Sequence, residues 1–137
     1  MDVKAFNNSI IEEFRANNGA VGGQFEGANL LLLHSIGAKS DEARVNPLAY
    51  FEDGEEFLIV ASSLGSPTNP PWFYNLVANP QAKIEVGSSE FSVTAKVVAE
   101  PMRTDLYNEI AAQASAFAEY QEKTTRVIPI IRLTKTS

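Results

Sequence analysis

The chain has 137 residues, 45% of them hydrophobic and 20% charged, the composition of a single soluble domain over residues 1–137 that packs a core of its own. Seventeen Asp and Glu against eleven Lys and Arg give a net charge of −6, which argues against a nucleic-acid partner. Having no cysteine excludes disulfides, iron–sulfur clusters and a thiol nucleophile, and a lone histidine, His34, excludes a multi-histidine metal site.

The N-terminal segment has no apolar run of signal or membrane length, so the expected location is cytoplasmic, with no integral membrane segment. Val3, Phe6, Ile10 and Phe14 recur at steps of three and four and predict an amphipathic helix ending near Asn17 to Gly19. Glycine-rich residues 20–29 predict a surface connector. Leu30 to Leu33, too short for a helix and bounded by turn residues, predict a strand buried on both faces that ends at Gly37. Residues 45–52 and 57–62 predict two strands paired antiparallel about Asp53-Gly54. Trp72, Leu76 and Val77 predict a helix capped by Asn69 and ended by Pro80. Residues 83–86 and 91–98 alternate polar and apolar about Gly87-Ser88-Ser89, a second hairpin with one solvated face. Leu106, Ile110, Ala114 and Phe117 predict one last helix, and β-branched residues 127–133 a closing strand whose Pro129 favours an edge or rim. The order favours a mixed α+β antiparallel barrel or sheet of about six strands with helices packed outside.

Gly37-Ala38-Lys39-Ser40 lacks the upstream glycine of a Walker loop and is no nucleotide-triphosphatase signature. What remains is a glycine turn after a buried strand, with Lys39, Ser40 and Arg44 able to converge on an anion; the competing reading is a solvated basic turn. Trp72, Phe73 and Tyr74 crowd a helix start, where an indole and unpaired backbone N–H groups can face an aromatic ligand. For Phe73 and Tyr74 the core is the favoured place, while Trp72 stands open between wall and core. Ser62, at a strand exit, can hydrogen-bond a carbonyl or simply end its strand. His34 has no nucleophile near it in sequence and reads as a satisfied strand-end imidazole, which gives hydrolysis no support.

The order and spacing of several short motifs carry a resemblance. They are Phe14-Arg15-Ala16-Asn17, Val21-Gly22-Gly23, Gly37-Ala38-Lys39-Ser40, Arg44-Val45-Asn46-Pro47-Leu48, Asp53-Gly54, Asn69-Pro70 with Trp72, Asn75-Leu76, Asn79-Pro80, and Arg126 with Ile128-Pro129. Over nearly its whole length the chain resembles the deazaflavin-dependent nitroreductases, which use coenzyme F420, an 8-hydroxy-5-deazaflavin, on a split β-barrel of the FMN-binding type. The resemblance implies that Lys39, Ser40 and Arg44 hold the coenzyme's phosphodiester. It also implies that Asn46, Pro47, Ser62, Pro71, Trp72 and Asn75 line the ring's groove. Ser62 and Tyr120 become the candidate catalytic donors near the substrate. Hydride would pass from C5 of the reduced deazaflavin to a small unsaturated, quinone-like or nitroaromatic compound. The family commonly has arginine at the position of Ala38, glycine at Asp41 and lysine at Ser63, which implies a weaker hold on the acidic tail or another path for it. Of the several tyrosines relatives place before the last strand, this chain keeps Tyr120.

The expectation is therefore an F420H2-dependent oxidoreductase acting on a small molecule, as a monomer or homodimer, with no metal. FMN is the second choice of cofactor. An FMN- or haem-binding split-barrel protein is the alternative on the same fold, and a non-catalytic carrier of an apolar ligand or of the coenzyme is the alternative from another class.

Overall fold

A computed structural model describes residues 3–17, 29–39, 41–62, 65 and 68–136, the side chains of 3–7 aside. The predicted connector up to residue 28, together with Ser40 and Ser63, lies outside the described residues. Helix α1 (Val3–Ala16) is followed by β1 (Leu30–Ile36), β2 (Ala43–Ala49), β3 (Phe51–Asp53), β4 (Glu56–Val60), α2 (Pro71–Ala78), β5 (Gln81–Val86), β6 (Ser89–Val97), α3 (Met102–Gln113), α4 (Ser115–Glu122) and β7 (Ile130–Lys135).

The strands form one sheet in the order β2-β1-β5-β6-β7-β4-β3, antiparallel at every neighbour. Its edge strands, β2 and β3, are consecutive in the chain and separated by Tyr50 alone. The two edges must therefore approach each other, and the twisted sheet curls into a half-barrel.

Four corrections to the predicted elements have identifiable causes. The strand expected over 45–52 is two strands, because the β1 ladder ends at Leu30↔Ala49 and the Tyr50 N–H then donates to the Asn29 carbonyl at 3.0 Å. The hairpin signal acts only beyond that bend, on β3 and β4, where Gly54 takes φ 64. The last helix is broken at Ala114, which is extended (φ −138, ψ 91). The break brings the Phe117 carbonyl to the Tyr107 hydroxyl, which donates to it at 2.6 Å. The closing strand is no edge: β7 lies between β6 and β4. Pro129 precedes it, and its carbonyl accepts the Ala61 N–H at 3.0 Å. Nor does Asn69 cap α2, whose N-cap is Pro70; the Asn69 side chain is engaged by Arg126 instead.

Strand alternation divides the apolar residues among three clusters. Leu31 and Leu33 of β1, Ile59 of β4, Ile84 of β5, Val93 of β6 and Ile131 and Leu133 of β7 fill the inside of the half-barrel, where Trp72 and Leu76 of α2 join them. Leu30 and Leu32 meet Ile10 and Phe14 of α1, which is why four consecutive leucines can all be buried. Leu58, Val60 and Ile130 meet Tyr107 and Ile110 of α3. Between them, α1 and α2 flank the β2 side of the sheet.

Candidate functional site

An open groove of about 1290 Å³ runs between α1, the turn after β1, the start of β2 and the first turn of α2. Helix α1 contributes Asn8, Ile11 and Arg15; the turn and β2 contribute Lys39, Arg44, Val45 and Asn46; α2 and the residues before it contribute Asn69, Pro71, Trp72, Tyr74 and Asn75.

The turn is closed by its own backbone and clipped to α2. The Gly37 N–H donates to the Glu42 carbonyl at 2.8 Å and the Asp41 N–H to the Gly37 carbonyl at 3.0 Å. The Ala38 N–H donates to Asn75 Oδ1 at 2.9 Å. Asn75 is buried, so it acts on the groove through the turn it holds as well as by lining it. Asp41 sits in the left-handed region at φ 56. Lys39 is exposed. Arg44 pairs with Glu42 at 3.2 Å with both side chains largely exposed, an ion pair worth little against an incoming anion.

On the opposite wall Arg15 donates from Nε and Nη2 to the Glu85 carboxylate at 3.3 and 2.8 Å, and His34 Nε2 meets the same carboxylate at 2.5 Å. The Arg15 guanidinium holds the Glu85 carboxyl below its usual pKa; partial burial works against this and His34 works with it. Arg15 itself lines the groove, and its bonds to Glu85 take only two of the five donors an arginine carries.

Of the residues singled out in the sequence, Lys39, Arg44, Asn46, Pro71, Trp72 and Asn75 line this one groove. Pro47 and Ser62 do not line it. Ser62 is half-buried, and its carbonyl accepts Arg126 Nη2 at 2.6 Å and the Gly65 N–H at 2.9 Å. Tyr120, on α4, stands edge-on to Phe117 over the second cluster. A Cβ added to Gly65, which has φ +79, would meet the Tyr120 carbonyl at 2.8 Å. Ser62 and Tyr120 therefore flank the same β4–α2 connection, beside the groove. Arg126 ties that connection down, donating to the carbonyls of Ala61 and Ser62 and to Asn69 Oδ1 at 3.0, 2.6 and 2.7 Å.

Sequence reasoning passed over Asn8, Ile11 and Arg15, although their spacing of three and four places them on one helix face beside the buried Ile10 and Phe14. It also assigned Tyr74 to the core. The phenol is half-exposed and lines the groove, because burial of Trp72, Asn75 and Leu76 turns that side of α2 inward and leaves Tyr74 outside.

The donor set suits a flat ring with an anionic tail. Lys39, Arg44 and Arg15 offer positive charge, Trp72, Ile11 and Val45 an apolar wall, and Asn8, Asn46 and Asn69 a few placed amides. Within the described residues no group of three or more His, Cys, Asp or Glu could hold a metal ion, and no helix is long and apolar enough to cross a membrane.

Comparison with known proteins points the same way. The family model of the F420H(2)-dependent quinone reductases matches residues 8–135. An F420H(2)-dependent quinone reductase of Mycobacterium tuberculosis is 41% identical over 126 residues, covering 89% of this chain and 85% of that protein. Among solved structures, an F420-H2 dependent reductase, FDR-A, superposes with a TM-score of 0.70 at 31% identity over 77% of this chain and 93% of the other. A chain described as a domain-swapped dimer gives 0.71 at 28% identity over 96% of each. The fold is thus that of the split-barrel F420-dependent reductases, and the chain belongs to the F420H(2)-dependent quinone reductase family.

Proposed function

We propose that this chain is a cytoplasmic oxidoreductase that binds reduced coenzyme F420 in the groove between α1 and α2 and reduces quinones there, as one domain spanning residues 1–137 and as a monomer or homodimer. The observation that carries the reading is the meeting of Lys39, Arg44 and Trp72 in one groove of a chain that belongs to this family. When bound, the coenzyme supplies the hydride, from C5 of its deazaflavin ring.

The protein's part is to bind, orient and exclude water. Lys39 and Arg44 face the phosphodiester, and Ser40, next to Lys39 in sequence, is a further candidate donor. Asn75 fixes the height of that turn against α2 through the Ala38 N–H. The indole of Trp72, with Pro71 beside it, forms the apolar wall for the ring, and Asn46 offers an amide to its polar edge. Pro47 lies within β2 opposite Leu32, and Ser62 follows β4 with its carbonyl held by Arg126.

A binding titration followed by fluorescence tests this directly, because Trp72 is the chain's single tryptophan. Saturating deazaflavin quenches the signal, and flavin mononucleotide and haem do so weakly. Lys39→Ala and Arg44→Ala each leave the fold intact and weaken coenzyme binding about ten- to a hundredfold, the effect of losing a charge-assisted hydrogen bond. An unchanged dissociation constant in both variants removes this site, and a protein that purifies with the absorbance of flavin or haem favours the alternative cofactors.

A further inference from the structure

We propose that Tyr74 is the proton donor to the quinone oxygen. The inference rests on the quinone-reductase reading. Of the chain's four tyrosines, all within the described residues, Tyr74 alone lines the groove. It stands one residue beyond Phe73, whose ring it meets edge-on at 5.3 Å, and this contact steadies the phenol without using its hydroxyl. Half of the side chain is open to solvent, so a lost proton is readily replaced.

A fixed cation stands at the edge of the same groove. Arg126 is pinned by the Ala61 and Ser62 carbonyls and by Asn69 Oδ1, and Asn69 lines the same groove as Tyr74. Tyr107 spends its hydroxyl on the Phe117 carbonyl, which leaves Tyr74 as the phenol open to the groove.

The step balances as follows. The quinone gains two electrons and one hydrogen as hydride, at the expense of the reduced deazaflavin, and becomes a hydroquinone anion. The O–H bond of Tyr74 breaks as a new O–H bond forms on the quinone oxygen, giving the neutral hydroquinone. The phenolate then takes a proton from water.

Tyr74→Phe removes only the hydroxyl and tests the assignment. With reduced deazaflavin and a water-soluble naphthoquinone, kcat falls about a hundredfold, within the range general acid catalysis contributes. The coenzyme dissociation constant stays within twofold, and the solvent deuterium isotope effect on kcat seen in the wild type is lost. A readout without turnover uses protein labelled with carbon-13 at the tyrosine ζ position. Added to the protein with oxidised coenzyme, the naphthoquinone shifts one of the four tyrosine signals, the one missing in Tyr74→Phe. A kcat within twofold of wild type, or a quinone that shifts no tyrosine signal, overturns the inference and leaves the quinone-reductase reading standing. A wild-type protein that binds deazaflavin yet reduces no quinone overturns that reading, and this inference with it.

Discussion

Trp72 faces both the groove and the core, being 6% exposed among Leu31, Leu33 and Leu76. Sequence reasoning placed Phe73 in the core and left Trp72 open between wall and core; in the structure Phe73 is only half-buried and the indole does the packing. Truncating a buried aromatic to alanine costs about 3 to 5 kcal/mol, a large part of a small domain's stability. Trp72→Ala is therefore expected to be largely unfolded, while Trp72→Phe stays folded and binds deazaflavin more weakly. Urea denaturation monitored by circular dichroism separates the two, and a fully stable alanine variant sinks the core assignment. Asp41 is the second residue with two effects. Its φ of 56 is one that glycine takes without penalty, and its charge lies in the turn that carries Lys39. Asp41→Gly is expected to change stability by no more than about 1 kcal/mol, because relief of the left-handed backbone is set against a more flexible unfolded chain. It is also expected to tighten coenzyme binding several-fold at low salt, an effect that fades as salt screens the exposed charge. Equal affinity at 20 mM and 500 mM salt, two test conditions chosen about the Debye scale of roughly 10 Å at 0.1 M, refutes the electrostatic part.

At the level of elements, α1 is fastened to the sheet in two ways. Ile10 and Phe14 pack on Leu30 and Leu32, and Arg15 reaches across to Glu85 of β5, where His34 of β1 joins it. The second fastening depends on pH through Glu85, whose folded pKa lies below its usual value. A lowered carboxyl pKa stabilises the fold above the unfolded value of about 4.3, and that stability is lost as pH falls from there through the folded pKa. Glu85→Gln is expected to make urea midpoints less sensitive to acidification below that value, with little change in the slope above it. An acid-induced loss as large as in the wild type excludes Glu85 as a contributor. The Arg15 wall of the groove loosens with it, so coenzyme affinity in Glu85→Gln reports on whether α1 is held at the right height. On the far side Gly65 lets α4 approach the β4–α2 connection, where any Cβ would strike the Tyr120 backbone.

Across the whole molecule, the sheet's closure places these parts together. Because β2 and β3 lie at opposite edges yet are joined at Tyr50, curling is imposed by chain connectivity, and the inside of the curl is left for Trp72 and Leu76 of α2 to plug. The sequence by itself determined the element types, the two hairpin turns, the inward face of α1 at Ile10 and Phe14 and the double burial of Leu30 to Leu33, since these follow from local periodicity and turn chemistry. It also carried the basic turn and the aromatic helix start as separate segments, because Lys39, Arg44 and Trp72 are legible by residue type. What it left open is decided by contacts between residues far apart in the chain. The break at Ala114 depends on a hydroxyl reaching from Tyr107 to Phe117, and the place of β7 between β6 and β4 on pairing that no local pattern encodes. Likewise the outward turn of Tyr74, the inward turn of Trp72, the wall supplied by Arg15 and the position of Ser62 and Tyr120 beside the groove depend on which faces of α1, α2 and α4 the closed sheet leaves to be covered. Side-chain direction on a helix is fixed relative to its neighbours, and only tertiary packing sets how each helix is rotated against the sheet.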